Sequence, residues 1–120
     1  MGKSAECSCK GKSLERFLQP TILMLLYYQE MHGFKMLQEI SKTPMFEGNY
    51  PDPSGLYRYL KKMEAQGLLI SREEQQEDFP SKRIYAITDL GKDCLKHWSE
   101  TLESYVNNLS EFSQQLKIMV

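Results

Sequence analysis

The feature that most constrains this chain is the spacing of its apolar residues toward the C-terminal end. Leu95, Trp98, Leu102, Tyr105, Leu109, Phe112 and Leu116 follow one another at alternating intervals of three and four residues. That is the period of about 3.5 that forms a coiled-coil seam. Thr88-Asp89 ahead of the run supplies a cap, so one long helix is predicted over residues 89–120. Such a helix cannot bury the stripe on itself, and a single body built from the rest of a 120-residue chain reaches only its first turns. The remainder calls for a partner, most economically a second copy of the helix or the first helix of another chain, so these seven residues are read as a homodimer interface.

Upstream, residues 1–13 are rich in Lys, Ser, Gly and Cys without periodicity, which predicts a mobile arm. Leu14, Phe17 and Leu18 then lie about one helical turn apart. A short turn leads into a helix from Pro20 to Met31, whose Ile22, Leu23, Leu25 and Leu26 leave almost no polar face. After His32-Gly33, the spacing of Phe34, Leu37 and Ile40 predicts a second, shorter helix closed by Thr43-Pro44. Residues 44–53 hold three prolines, a glycine and an asparagine, and read as a loop. Asp52-Pro53-Ser54 opens a third helix, with Asp52 or Ser54 as its cap, that buries Leu56, Tyr59 or Leu60, and Met63 and stops at Gly67. Leu68 to Ser71 and Lys82 to Ile87 read as two strands joined through an acidic tip from Glu73 to Asp78. The fold class is therefore mostly α with a small β-hairpin.

The order helix, helix, helix, strand, strand, long helix is that of a winged helix-turn-helix with an added C-terminal dimerisation helix. His32-Gly33-Phe34, Leu56-Tyr57-Arg58-Tyr59-Leu60, Met63-Glu64-Ala65-Gln66-Gly67-Leu68-Leu69 and Arg83-Ile84-Tyr85-Ala86-Ile87-Thr88-Asp89-Leu90-Gly91 stand in sequence at fixed separations. In these four stretches the chain resembles the PadR family of bacterial transcription regulators, over nearly everything from Leu18 to Trp98. The resemblance implies an N-terminal arm over 1–13, a DNA-binding domain over 14–88 and a dimerisation helix over 89–120. It departs from the family in carrying Phe34 where a tyrosine is usual, and Glu73, Glu74, Glu77 and Asp78 where the wing tip is usually basic.

By this resemblance the third helix is the recognition helix, with its N-terminal part toward the bases. Ser54 and Gly55 are small enough for close approach, and Ser54 can donate to DNA. Tyr57 and Arg58 are the direct contacts, Lys61 and Lys62 meet phosphates, and Lys82 and Arg83 reach a phosphate from the base of the wing. Lys82 and Arg83 can equally neutralise the acidic tip. The resemblance also implies a repressor that binds a palindromic operator in double-stranded DNA as a homodimer. Release would follow binding of a small aromatic or drug-like effector to a cleft in which Cys94, Leu95, Trp98 and Leu102 face Leu14, Phe17 and Leu18 of the other copy.

Composition sets the limits. With 41% hydrophobic and 26% charged residues the chain reads as one soluble globular domain. A formal charge of −1 denies it a globally basic surface, so DNA binding must come from a local patch repeated by symmetry. The longest apolar run, Ile22 to Tyr28, is too short to span a bilayer, and residues 1–12 lack a secretory signal, so cytoplasmic residence is expected. Three cysteines, an odd number, argue against a disulfide framework. Cys7-x-Cys9 supplies at most half of a metal site and defines one alternative, a thiol- or metal-responsive regulator. A second alternative is a winged-helix module for protein interaction alone. Neither His32 nor His97 has a nucleophile or carboxylate in a catalytic motif, and glycine-rich phosphate loops and paired-histidine zinc helices are absent from the sequence. No enzyme activity, cofactor or metal is expected.

Overall fold

A computed structural model describes residues 16–49, 51–77 and 79–120. Along the chain come α1 (Leu18–Tyr28), β1 (Met31–His32), α2 (Gly33–Ser41), α3 (Pro53–Ala65), β2 (Leu69–Gln76), β3 (Phe79–Ile87) and α4 (Asp89–Met119). The core is assembled mainly from α1, α2 and α3, whose Ile22, Leu23, Met36, Ile40, Leu56, Leu60 and Met63 are fully buried. Leu68, Leu69 and Tyr85 join the hairpin to it.

Two expected boundaries move. The first helix begins at Leu18 and ends at Tyr28, rather than running from Pro20 to Met31. Pro20 is the third helical residue, where a backbone N–H would have no intrahelical partner, so its missing donor costs nothing. Gln29 is extended, and Met31 and His32 pair with Tyr85 and Ile84 of β3. The sheet thus has three antiparallel strands in the order β1-β3-β2. The second correction concerns the hairpin. Glu73 and Glu74, read as a tip, lie within β2 opposite Arg83 and Lys82, because cross-strand pairing of opposite charges lets both strands continue.

The ends of the helices follow local chemistry. Asp52 caps α3 by accepting from the Gly55 backbone N–H at 3.0 Å. At the other end of α3, the Leu68 N–H reaches the Met63 carbonyl and the Gly67 N–H that of Glu64, a pattern closed by Gly67 at φ +83°. Thr88 caps α4 through its hydroxyl, which accepts from the Gly91 N–H at 3.0 Å and donates to the Gly67 carbonyl at 2.6 Å. Gly91 is buried against the Leu68 carbonyl, leaving no room for a Cβ.

The seam of α4 divides. Cys94, Leu95 and Trp98 pack on the core of their own chain, and the Trp98 indole N–H donates to Gln19 Oε1 of α1 at 2.8 Å. Beyond Leu102 the helix leaves the body, and Tyr105, Leu109, Phe112 and Leu116 are exposed at 43–61%. With 31 residues α4 is about 46 Å long, against a longest dimension of 62 Å for the chain.

Candidate nucleic-acid interface

Helix α3 turns Leu56, Leu60 and Met63 inward, which at helical spacing leaves Ser54, Tyr57, Arg58, Lys61 and Lys62 on the surface. Each is positioned differently. The Ser54 hydroxyl donates to Asp52 Oδ2 at 2.6 Å, so it must leave that carboxylate before it can donate to anything else. These two hydrogen bonds to Asp52, from Ser54 first and then from the Gly55 N–H, hold its carboxyl below the usual carboxylate range, with a smaller contribution from Arg58. Gly55 sits within the first turn with open space beside it: a Cβ there would meet Asp52 at 3.6 Å and Arg58 Nη2 at 3.8 Å, ordinary contact distances. The Lys62 ammonium lies 5.9 Å from the centre of the Tyr59 ring, a cation–π separation, while Tyr59 itself packs half-buried against the core. Burial pushes the Tyr59 hydroxyl up from its ordinary range.

Tyr57 is the hinge between α3 and a groove of about 490 Å³ lined by His32, Gly33, Phe34, Lys35, Gln38, Tyr57, Ser81, Lys82 and Arg83. Its ring lies so close to Gly33 that a Cβ there would come within 2.5 Å of Cε1. The absence of a side chain at the start of α2 is therefore what lets Tyr57 reach across. Lys82 and Arg83 are expected at the base of the wing; the groove adds Lys35, Gln38 and Ser81, which no sequence motif singles out. The spacing of Phe34, Leu37 and Ile40 puts Phe34 on the apolar face of α2, whereas Phe34 is 67% exposed and Met36 fills the core with Leu37 and Ile40. The pattern could have been read the other way, since Met36, Leu37 and Ile40 alone make a helical stripe. His32 lies in β1, and its buried Nε2 has no hydrogen-bond partner; the nearest carboxylate, Glu74 Oε1, is 3.8 Å away.

Lys82 and Arg83 do not behave alike. Lys82 is exposed on β3. The Arg83 guanidinium is turned into the hairpin, donating to Ser71 Oγ at 3.0 Å and to Glu73 Oε1 at 3.1 Å. Arg72 on the neighbouring strand makes a two-pronged ion pair with Glu30 at 2.7 and 2.9 Å, which holds the Glu30 carboxyl below its ordinary range.

Of the residues expected to form an effector cleft between two copies, Phe17, Cys94, Leu95 and Trp98 are partly buried within one chain where α1 meets the start of α4, and Leu18 is buried in the core. Leu14, Cys7 and Cys9 lie outside the described residues. Burial pushes the Cys94 thiol up, away from the reactive thiolate. Among the described residues there is no group of three or more His, Cys, Asp or Glu placed to hold a metal ion. Nor is any helix among them long and apolar enough to cross a membrane.

Comparison with known proteins gives a consistent picture. The profile of a family described as PadR-like transcriptional regulators matches residues 22–97. A transcriptional regulator of Mycobacterium tuberculosis is 35% identical over 74 residues, which make up 62% of this chain and 64% of that protein. The match thus spans just under two thirds of that relative. Among solved structures, a candidate transcriptional regulator of Thermoplasma acidophilum superposes with a TM-score of 0.74 at 26% identity, covering 84% of this chain and 94% of that one. PadR of Bacillus subtilis, solved in complex with operator DNA, superposes with a TM-score of 0.61 at 30% identity over 69% of this chain and 45% of its own.

Proposed function

The chain belongs to the PadR-like family of transcriptional regulators, a family of regulators and not of enzymes, and from that premise we propose that it is a homodimeric repressor of a palindromic DNA operator. The observation that carries this reading is the exposed face of α3. Tyr57, Arg58, Lys61 and Lys62 are exposed on it, and Tyr57 lines the adjoining groove with Lys35 and Lys82. Helix α3 lies in the major groove with Gly55, Tyr57 and Arg58 toward base edges, Ser54 joining them once its hydroxyl leaves Asp52. Lys61, Lys62 and Lys82 neutralise phosphates. The B. subtilis relative, which carries the same fold, binds operator DNA.

The exposed half of the α4 seam supports the homodimer. Four large apolar side chains from Tyr105 to Leu116 lie on one face with no cover, and a second α4 of the same period matches them. In the same proposal residues 14–88 form the DNA-binding unit and α4 the dimerisation element, with the first turns of α4 shared between the two. A planar aromatic effector that displaces Gln19 from Trp98 would change how α4 seats on α1, and with it the spacing of the two α3 helices.

The test is a binding titration with duplex DNA from the chain's own upstream region over a range of KCl concentrations. A steep fall in affinity with salt, lost progressively in Arg58→Ala and Lys61→Gln, is expected. A dimer that binds no duplex at low salt refutes the reading and leaves the protein-interaction module in its place.

A further inference from the structure

The hairpin is attached to the body at its base, where Thr88 bonds to Gly67 and Leu68. Ile84 and Tyr85 of β3 also pair with β1, and Arg72 of β2 reaches Glu30, but neither tie runs to α3. A direct tie to the recognition helix lies on the face of the hairpin turned toward it. Glu64, half-buried in the last turn of α3, accepts from the Ser71 hydroxyl on β2, which lies 2.8 and 2.9 Å from its two carboxylate oxygens. A hydroxyl has one proton to give and lone pairs to offer, and Ser71 uses both: it donates to Glu64 and accepts from Arg83 Nη1 of β3 at 3.0 Å. Arg83 Nη2 then donates to Glu73 at 3.1 Å. Four residues thus form a chain of hydrogen bonds from α3 through β2 to β3. Register makes the chain possible, because Glu73 lies opposite Arg83 and Ser71 opposite Tyr85, one diagonal step away.

We infer that Ser71 and Arg83 are positioning residues that set the angle of the wing against the recognition helix through Glu64, and that Arg83 is not a phosphate contact. The inference rests on the DNA-binding reading, and it separates two neighbouring cations that the sequence treats alike. Lys82 is the phosphate contact of the wing; Arg83 has two of its donors committed inward to a serine and a glutamate of the same hairpin. The exposed Arg83–Glu73 pair would hold little alone, with side chains 45% and 64% exposed. Its effect is to orient Arg83 toward Ser71, whose bond to Glu64 is the part-buried one.

The two roles give opposite results in a small set of variants, Ser71→Ala, Ser71→Thr, Arg83→Met and Lys82→Gln, assayed on the tightest duplex the wild-type protein selects from a random pool. If the tie sets the wing, Ser71→Ala and Arg83→Met each weaken binding by about 5-fold with the slope of log K against log salt unchanged. Ser71→Thr, which keeps the hydroxyl, restores affinity, while Lys82→Gln, which removes one phosphate contact from each copy of the dimer, reduces the slope by about 1.8. Amide exchange in β2, β3 and the last turn of α3 speeds up in Ser71→Ala and Arg83→Met and stays at the wild-type rate in Lys82→Gln. A reduced salt slope in Arg83→Met with wild-type binding by Ser71→Ala overturns the inference and returns Arg83 to the phosphates. If the wild-type protein selects no duplex, the DNA-binding reading fails on its own. The exchange rates then decide the tie: unchanged rates in both variants remove it, and faster ones keep it.

Discussion

Replacing Gly55 by alanine should strengthen the fold while weakening the proposed function. Gly55 is the third residue of α3, its N–H is held by Asp52, and its conformation is helical. A methyl group there meets Asp52 at 3.6 Å and Arg58 Nη2 at 3.8 Å, so nothing has to move. Alanine in place of glycine within a helix contributes about 0.5–1 kcal/mol, which for a domain of this size is a rise of roughly 2–8 °C in Tm. The same methyl group stands on the exposed first turn of α3, where the proposed interface brings the helix end against DNA. Loss of close approach there should reduce affinity about 10-fold, the equivalent of ~1.4 kcal/mol. Thermal denaturation and a DNA titration of the same preparation measure both effects. A lower Tm would refute the packing argument, since the structure leaves room for the methyl group. A higher Tm with wild-type affinity would refute the placement of Gly55 at the DNA.

Other substitutions address other parts of the structure. Gly91→Ala should be strongly destabilising, by about 2–4 kcal/mol in urea denaturation, because its Cβ would press on the Leu68 carbonyl and lie 2.7 Å from Ile87 Cγ1. Leu109→Glu should leave helical circular dichroism nearly unchanged and shift sedimentation from dimer to monomer; a stable dimer would exclude the seam as the interface. Trp98→Phe keeps the ring packing but removes the shorter of two hydrogen bonds to Gln19 Oε1, leaving that from the Cys94 thiol at 3.7 Å, and should cost about 1 kcal/mol in the same denaturation assay. Asp52 has a carboxyl pKa depressed in the folded state, so its cap contributes stability that is fully present above the ordinary aspartate range and is lost as pH falls through the lower folded value. The pH profile of Tm should therefore flatten at its acid end in Asp52→Asn relative to wild type.

Features carried by neighbouring residues were legible in the sequence. The Asp52-Pro53 start of α3, the Gly67 stop, the Thr88 cap and the period of α4 each depend on chemistry within a few residues, and each stands where the sequence put it. Strand β1 was not legible, because Met31 and His32 become a strand only by pairing with Ile84 and Tyr85, more than 50 residues away. Nor could the reach of the hairpin be read from a run of glutamates, which look like a tip until Arg83 and Lys82 are set opposite them. At the candidate site the same division holds. The cations of α3 follow from one helical face. Lys35, Gln38 and Ser81 join them only because Gly33 admits the Tyr57 ring and folding closes a groove between α2 and β3. Arg83 shows the limit most clearly: its neighbour Lys82 shares its charge, and only the alternation of side chains across β3 sends one outward and the other to Ser71.

The continuous period from Leu95 to Leu116 performs two tasks that sequence alone does not separate. Its first turns belong to the body, where Trp98 is fixed to Gln19 and Gly91 is locked beneath Leu68; its last turns stand free. One uninterrupted helix of about 46 Å links the two ends. In the proposed dimer the far end fixes the partner, so the separation of the two α3 helices is set by how the near end is seated on α1. With a formal charge of −1, one copy has little attraction for DNA at long range. Two copies at a fixed spacing gain through effective concentration what each lacks in charge, and that gain vanishes when the spacing is wrong. In that proposed dimer a substitution at the Gln19–Trp98 contact should therefore act on DNA binding through the spacing of the two α3 helices, although neither residue lies on α3.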